Sequence, residues 1–421
     1  QHPVGPSVAP GPLRQTGIGE GHDPADDPGP VTVQVRNGIG YAIERGADVL
    51  NLSLNYNATF SNGSSPLDLM LDWAAYARGI SSTAAVGNIP VDPNSLPGNP
   101  KTARSPGSSF NGISVGRTLR DYSKVSIFSA GAFTDDGRMK PDIVAPGTLL
   151  TMANDDWEGV AADWDTNLNG TSFAAPHVAG LIAQQLEAGA TYGLSTDPLV
   201  VKATILNSAS KSVLDWTFNP WEPASMSNIA GVATTSHPLD PHSGAGQIDG
   251  LALAAQYLAG AMGTGLVDPI GWDLSALANG QFVDYMINPN LIVGSTLTAT
   301  LAWYRHVGRT DGGTIGVVDA GDSFFVSQAL SDLDLQILRN GTLVAESTSN
   351  VDNVEHLNWT IDQVAQYTLR VRGLNVFGGS EQFALAWRGT AVPEPAGWSL
   401  VLLGIVGLLG SRRQFCRTPG S

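Results

Sequence analysis

Ser172 is the residue whose surroundings most clearly need a chemical explanation. Residues 169–180 read NGTSFAAPHVAG, a Gly-Thr-Ser turn that runs into small and apolar residues. This spacing predicts a buried helix that begins near Ser172. A serine there can cap free backbone N–H groups, which is its common role. Alternatively, it can act as a nucleophile, whose developing negative charge those N–H groups and the helix dipole stabilise. Gly170 permits close backbone approach to a ligand, and Pro176 costs little early in a helix, so we favour the nucleophile.

The same string resembles the nucleophile motif of the subtilisin-like serine proteases over its whole length, without a gap. Sedolisin-type acid peptidases also carry a Gly-Thr-Ser nucleophile, but the continuation over residues 176–180 favours the subtilisin-like family. The resemblance implies a serine endopeptidase that acts on protein or peptide substrates through an acyl-enzyme on Ser172.

Asn88 is the candidate oxyanion donor. It ends the stretch AAVGN at residues 84–88, which resembles the Ala-Ala-Gly-Asn segment of the family, where the Asn side chain donates to the oxyanion. In isolation, an Asn after Gly at a strand end is usually a turn residue. Together with Ser172, the resemblance implies the catalytic role.

Two segments are expected to flank a bound peptide, as the same resemblance implies. They contain Ser53, Leu54 and Asn55, and Ala85, Val86 and Gly87. The first would pair its backbone with an extended substrate, which is β-augmentation. An ordinary strand end is the alternative. Asn55 stands where the family usually has Gly, a difference that bears on access to the substrate pocket.

The base and the acid of a catalytic triad are missing from the sequence. In the family both precede the strand at Val49, on Asp-Thr/Ser-Gly and His-Gly-Thr segments, and neither pattern occurs here. His177 lies in the helix of the nucleophile itself and is expected to be a buried structural residue. Asp142 follows a proline and is also assigned a structural role. We therefore expect a fragment cut downstream of both partners, with little or no peptidase activity of its own.

Composition narrows the class of protein. The 421 residues suit two domains, and the net charge of −16 without a basic run argues against nucleic-acid binding. The single cysteine, Cys416, allows no internal disulfide. The sequence begins at Gln1 without a signal-peptide pattern, so we expect that the true N-terminus is missing or was processed away.

The order of apolar segments predicts an α/β domain with a parallel sheet flanked by helices. The resemblance implies that residues 1–265 are the C-terminal portion of a subtilisin-like peptidase domain. Residues 1–30 are rich in Gly, Pro and Asp and are expected to be a loop or a weakly ordered segment. Residues 216–241 are expected to be an insertion or a surface loop. Strands are predicted at 31–35, 49–54, 82–86, 113–116 and 125–128, and helices at 37–45, 68–78, 199–209 and 250–258.

Residues 266–390 change to short alternating strands with turns such as Asn340-Gly341, which predicts an antiparallel β-sandwich. Strands are expected at 295–303, 332–338, 342–347, 366–372 and 382–387, with a turn at 353–356. The domain resembles sandwiches appended to bacterial secreted proteases. Asp332 and Asp334 point the same way from a strand and could hold structural calcium, although solvated acids are the commoner case. No other cofactor is indicated.

The tail, residues 391–421, carries the localisation signal. Pro393-Glu394-Pro395 precedes an apolar segment over 398–410, which Arg412 and Arg413 close. The segment is short for a membrane span, but its position and the arginines favour contact with a membrane. The order of features resembles the sorting signal that exosortases recognise, which implies export, sorting by such machinery and release or attachment at the cell surface. The competing class is a noncatalytic exported surface or matrix-binding protein.

Overall fold

The computed structural model describes residues 30–56, 61–89, 103–153 and 164–390. The N-terminal 29 residues and the tail, with its apolar segment, lie outside these ranges. The first part of the described chain contains α1 (Pro30–Glu44), β1 (Val49–Leu52), α2 (Pro66–Arg78), β2 (Ser81–Ala85), β3 (Ile113–Thr118), β4 (Ala132–Phe133), β5 (Met139–Lys140), β6 (Ile143–Pro146), β7 (Leu150–Ala153), β8 (Trp164–Leu168), α3 (Thr171–Tyr192), α4 (Pro198–Ser208), β9 (Ser225–Ile229), β10 (Val232–His237) and α5 (Gly250–Leu258).

A four-stranded parallel sheet forms the centre of this part, in the order β1-β2-β3-β6. Strands β2, β3 and β6 are buried along their whole length, as apolar runs between helices predict. Helix α3 packs across all four strands with its small side chains, among them Ala174, Ala175 and Val178. The small residues allow the helix that carries Ser172 to lie close to the sheet.

Two predicted strands of this part are wrong. Residues 31–35 belong to the single helix α1, because Val35, Ile39 and Ile43 recur every four residues and pack into one cluster with β1 and α2. Residues 125–128 form only an isolated bridge at Val125, while Ile127 and Phe128 are exposed. The alternation of apolar residues in both segments was too short to distinguish the structures.

The second part is the predicted antiparallel sandwich. Its strands are β11 (Gly265–Val267), β12 (Ile270–Leu277), β13 (Phe282–Ile287), β14 (Thr296–Trp303), β15 (Val307–Thr310), β16 (Ser323–Val326), β17 (Asp332–Arg339), β18 (Thr342–Ser347), β19 (Val354–Thr360), β20 (Tyr367–Asn375) and β21 (Glu381–Arg388). One sheet has the order β11-β13-β20-β17-β18-β10-β9 and the other β12-β21-β14-β19. Their inner faces share one apolar core.

Residues 216–241 are not the surface loop that was one of the two predictions for this segment, because they contain the hairpin β9–β10. Strand β10 pairs in parallel with β18, so a hairpin from the first part of the chain extends the sandwich sheet. The predicted turn at 353–356 is also wrong. It begins strand β19, which pairs with β14, and the buried Glu355 carboxylate accepts hydrogen bonds from Ser347 and Ser349.

The two parts share a core as well as this hairpin. Helix α4 is buried over its whole length and packs against β12, β14 and β21, where Trp272, Ala302 and Ala384 belong to the same cluster as Val200 and Val201. In the ranges given above, no helix is long and apolar enough to cross a bilayer.

Candidate active site

Ser172 is the second residue of helix α3 and is half-buried. Gly170 occupies the N-cap position, and no side chain caps the helix there. Ser172 is therefore not a capping residue. Within the part of the chain that the structure describes, its hydroxyl makes no hydrogen bond, which leaves Oγ available to a substrate or to a base.

Gly147 supports the turn that precedes Ser172. Its carbonyl accepts a hydrogen bond of 2.9 Å from the Gly170 N–H. A Cβ atom at Gly147 would lie 2.7 Å from the Gly170 oxygen and 2.6 Å from Arg117 Cβ, too close for any other residue. Close packing therefore fixes the backbone of the nucleophile turn.

Asn88 lies beside this turn, after the end of β2, and is exposed. Its Oδ1 accepts hydrogen bonds from Thr171 N at 2.8 Å and from Thr171 Oγ1 at 3.2 Å. Thr171 Oγ1 in turn accepts from Gly87 N at 3.3 Å. Because Oδ1 is held by two donors, the Nδ2–H group is the free end of the amide, and it has no hydrogen-bond partner among the described residues. Thr171 thus orients a donor next to Ser172.

Ser53 connects the predicted substrate strand to the nucleophile helix. Its hydroxyl donates to the Ser172 carbonyl at 2.7 Å and accepts from Asn51 Nδ2 at 2.9 Å. The Ser172 carbonyl is available because Pro176, four residues on, has no N–H to donate to it. Pro176 is thus the sixth residue of α3, beyond the first turn where proline is usual, and the Ser53 hydroxyl replaces the helix bond that it removes.

The two predicted substrate segments lie at adjacent strand ends. Paired residues of β1 end at Leu52, and Ser53, Leu54 and Asn55 follow as half-buried residues before the chain pairs again at Tyr56. Ala85, Val86 and Gly87 are buried. The carbonyl of Val86 accepts from Arg104 N, and that of Gly87 from Ala130 N. This second segment therefore has fewer free backbone groups for a peptide than the first.

Five histidines lie in the described residues, and none of them binds Ser172. His177 is exposed, so its predicted burial is wrong, and its Nδ1 lies 2.9 Å from the Phe173 carbonyl of its own helix. The others contact groups elsewhere: His237 bonds Ser225, His242 stacks edgewise on Trp216, His306 pairs with Glu381, and His356 bonds Thr300.

Asp142 is buried and holds the fold together. Its carboxylate forms an ion pair of 2.7 Å with Lys140, lies 3.9 Å from Lys202 and accepts from Ser114 N. Burial alone would raise the pKa of Asp142, but the two lysines and the hydrogen bonds lower it below its ordinary value. The Asp142 carboxylate is thus engaged by two lysines and a backbone N–H, which is consistent with the structural role assigned from the sequence.

The predicted acidic pair on β17 is not a solvated face. Asp334 is only 3% exposed, and burial together with the neighbouring Asp332 raises its pKa to about 7. Over the described ranges, no group of three or more His, Cys, Asp or Glu side chains could hold a metal ion.

The parallel sheet, the serine at the start of its central helix and the asparagine beside it together define the subtilisin-like class of serine peptidase folds. Residues 24–242, just over half of the chain, match the family model described as Peptidase S8, the Subtilase family. The chain belongs to the subtilase family.

Two curated relatives illustrate the likeness. The chain is 29% identical to pyrolysin from Pyrococcus furiosus over 192 residues, which cover 41% of this chain and 13% of pyrolysin. It is 33% identical to subtilisin DY from Bacillus licheniformis over 147 residues, which cover 35% of this chain and 45% of that relative. The chain thus spans less than half the length of either protein.

Among solved structures, the self-cleaved protease domain of PatA aligns with 55% of this chain and 69% of its own, at a TM-score of 0.39 and 21% identity. Tripeptidyl peptidase 2 aligns with 86% of this chain and 37% of its own, at a TM-score of 0.36 and 13% identity.

Proposed function

We propose that the protein is a serine endopeptidase that hydrolyses peptide bonds through an acyl-enzyme on Ser172. The observation that carries the proposal is the free Ser172 hydroxyl one residue from Thr171, which holds the Oδ1 atom of Asn88 and leaves its Nδ2–H group without a partner among the described residues. Membership of the subtilase family supports the same activity.

In the proposed mechanism, Ser172 Oγ attacks the scissile carbonyl while a base removes its proton. The carbonyl oxygen becomes an oxyanion, which Asn88 Nδ2–H and the positive N-terminal end of α3 stabilise. The same base then protonates the leaving amine as the C–N bond breaks, which leaves the acyl-enzyme. Attack by water releases the acid product and restores Ser172.

We propose that the base and the acid come from sequence that precedes residue 1. Subtilases place them in the order Asp, His, Ser along the chain. The two motifs are absent from all 421 residues, and the described histidines contact other groups. A serine hydroxyl without a base is a poor nucleophile, so this chain alone should be nearly inactive.

Protein or peptide substrates would bind in extended form along Ser53, Leu54 and Asn55, with Ala85, Val86 and Gly87 on the opposite side. The tail after residue 390 supports a further proposal, that the protein is exported through an exosortase-type sorting system with transient membrane contact. Its sequence of Pro-Glu-Pro, apolar segment and arginines is the basis for that proposal.

The test is fluorophosphonate labelling of the longer gene product that carries the Asp and His motifs, beside the 421-residue chain. We expect labelling of the longer product, abolished by Ser172→Ala and kept by Ser227→Ala at an exposed serine of the β9–β10 hairpin. Asn88→Ala should lower kcat by about 10²–10³ with little change in KM, the size of effect measured for the corresponding asparagine in subtilisin itself.

Failure of the longer product to label would contradict the proposal. It would instead favour the second candidate, a noncatalytic exported surface or matrix-binding protein that keeps the fold. The observation that favours this alternative is the absence of a histidine bonded to Ser172 in the described part of the chain.

A further inference from the structure

Arg117 is a buried cation without a counter-charge. It lies on β3, is only 5% exposed, and its side chain makes no hydrogen bond or ion pair with the described residues. The other three buried arginines in the described ranges each bond an oxygen atom of a neighbour, Arg36 of Asp322, Arg138 of Asp136 and Arg305 of Asp72. Because an unpaired charge is costly to bury, the stability of the fold does not explain Arg117.

The ring of Phe128 lies over the guanidinium group. Arg117 Cζ is 5.8 Å from the centre of that ring, and Phe128 is 51% exposed. Arg117 Nε is fully buried, whereas the two terminal nitrogens, which also lack a hydrogen-bond partner in the described part of the chain, are not. Burial lowers the pKa of Arg117, but an arginine stays protonated in proteins. The terminal N–H groups are therefore charged donors at the edge of the protein surface.

Arg117 lies between the two halves of the candidate active site. A Cβ atom at Gly147, whose carbonyl holds the turn of the nucleophile, would lie 2.6 Å from Arg117 Cβ. On its other side, Arg117 N donates to Ser129 Oγ at 3.0 Å, and the next residue, Ala130, donates its N–H to the Gly87 carbonyl at 2.9 Å. Arg117 thus adjoins both the nucleophile turn and the strand end that carries the candidate oxyanion donor.

The order of strands gives the position of Arg117 relative to a bound peptide. Strands β1, β2 and β3 are neighbours in the parallel sheet, so their carboxyl ends follow one another along one edge. β1 leads into residues 53–55, β2 leads to Asn88, and Arg117 lies near the end of β3. A peptide that pairs with residues 53–55 and brings its scissile carbonyl to Asn88 therefore continues towards Arg117 beyond the scissile bond.

Local charge favours an anion at this position. The protein has a net charge of −16, yet residues 117–124 contain the cations Arg117, Arg120 and Lys124 and a single carboxylate, Asp121. Asp121 is already engaged, because it accepts from the N–H and the hydroxyl of Ser123. A carboxylate matches the guanidinium fork with two parallel hydrogen bonds, and the low polarity beneath an aromatic ring strengthens the attraction. In a peptide, the carboxylates are acidic side chains and the C-terminus.

We propose that Arg117 binds a carboxylate of the substrate on the side of the scissile bond away from residues 53–55. The carboxylate belongs to an acidic side chain or to the C-terminus of the peptide, and Phe128 covers the ion pair. This inference rests on the proposed peptidase function, because it assigns a substrate preference to the same site. It also explains why the free protein retains an unpaired buried charge.

The test is fluorescence anisotropy of labelled hexapeptides with the full 421-residue chain. The peptides are amidated and share one neutral sequence, in which Glu, Gln or Lys is placed at each position in turn. One further Gln peptide keeps a free C-terminal carboxylate. We expect Glu at one position, the free C-terminus, or both to tighten binding about tenfold or more, the value of a charge-assisted hydrogen bond.

Arg117→Met removes the charge and keeps a long side chain. The variant should lose the preference for a carboxylate, yet urea denaturation should show it to be no less stable than the parent chain, since it removes an unpaired buried charge. A merely structural arginine would give the opposite result in urea. Arg120→Met is the matched control, because Arg120 is exposed three residues away. It should keep the preference to within about twofold, because exposed charges are screened by salt.

The proposal is overturned if no carboxylate tightens binding or if Lys does so instead. It is also overturned if Arg117→Met keeps the preference or is less stable than the parent, or if Arg120→Met loses the preference as well. Fluorophosphonate labelling of the longer product is scored separately. A labelled product without the carboxylate preference would remove only the role of Arg117, and an unlabelled product with the preference would remove only the peptidase function.

Discussion

At the scale of single residues, the nucleophile turn depends on a hydrogen bond that regular helix geometry does not provide. Pro176 removes the N–H that would bond the Ser172 carbonyl, and the Ser53 hydroxyl donates to that carbonyl instead, at 2.7 Å. The proline therefore makes the start of α3 dependent on the strand end that is proposed to hold the substrate. A substitution at that strand end can therefore alter the position of Ser172 through this hydrogen bond.

Ser53→Ala should lower the free energy of unfolding by about 1 kcal/mol, because it leaves the Ser172 carbonyl without its partner. Ser53→Thr keeps the hydroxyl and should lose less. Urea denaturation followed by tryptophan fluorescence measures both. The sharper measurement is a double-mutant cycle with Pro176→Ala, which returns an N–H to the helix. If the unpaired Ser172 carbonyl causes the destabilisation, Ser53→Ala will lower the free energy of unfolding less in the Pro176→Ala background. Equal losses of unfolding free energy in both backgrounds would contradict the explanation.

At the scale of elements, helix α2 shows how the two parts of the chain are joined. Ser65 caps its start and Gly79, at φ 67°, ends it, while Asp72 in the middle is buried. Asn111 N donates to the Asp72 carboxylate at 2.7 Å, and Asn111 Nδ2 donates to the carbonyls of Asp72 and Arg305. Asn111 Oδ1 accepts from Arg305 N at 2.8 Å. One side chain thus bonds the helix to the chain that follows β14.

Asn111→Ala should destabilise the protein by about 3 kcal/mol, since it leaves buried groups of two elements without partners. Chemical denaturation of the variant measures this loss. Asn279→Ala is a suitable control, because Asn279 is exposed and accepts only one bond, from Val376 N. A loss for Asn111→Ala no larger than that of the control would mean that the contacts to α2 and Arg305 do not hold the two parts together.

Sequence predicts the elements that owe their stability to their own apolar pattern. β1, β2, β3 and helices α2 to α5 fall close to the expected bounds, because buried parallel strands and their helices are recognisable from local composition. Strands β9, β10 and β19 were not predicted. The residues of β9 and β10 are mostly polar, and these segments become strands through pairing, β9 with β10 and β10 with β18, which is more than a hundred residues away.

The same division holds at the candidate active site. Ser172 and Asn88 could be selected from the sequence, because they lie in contiguous motifs. The hydrogen bond from the Ser53 hydroxyl to the Ser172 carbonyl joins residues 119 positions apart. The one feature of the sequence that points to it is Pro176, a proline inside a predicted helix. His177 was expected to be a buried structural residue because it lies in the helix of the nucleophile itself, yet its side chain is exposed on α3.

At the scale of the whole molecule, buried charges lie where the two parts meet. Asp352, in the turn between β18 and β19, is buried and accepts a hydrogen bond of 3.0 Å from Ser349 Oγ. Burial raises its pKa to about 7, although Arg138 and Lys140 of the first part act in the opposite direction. The folded protein therefore binds a proton at Asp352 more tightly than the unfolded chain does.

A carboxyl group whose pKa is raised in the folded state contributes stability that is fully present at pH values below its ordinary pKa of 3.8. That stability is lost as the pH rises through the pKa of about 7 in the folded protein. Asp352→Asn cannot ionise and keeps an oxygen for Ser349. Relative to the parent chain, the variant should therefore gain about 1 kcal/mol or more of unfolding free energy between pH 5 and pH 8. Subtracting the free energy of unfolding of the parent from that of the variant cancels the contribution of histidines such as His356. The lowered pKa of such a histidine makes stability change with pH in the opposite direction.

The measurement is urea denaturation of both proteins at several pH values across this range. Asp362→Asn is the control, because Asp362 is an exposed partner of Arg339 and its pKa is lowered, so it is ionised throughout. The difference in unfolding free energy between Asp362→Asn and the parent chain should stay constant from pH 5 to pH 8. If the Asp352→Asn difference is also flat, or falls as the pH rises, then Arg138 and Lys140 outweigh burial at Asp352, and the junction of the two parts is held by a charged carboxylate.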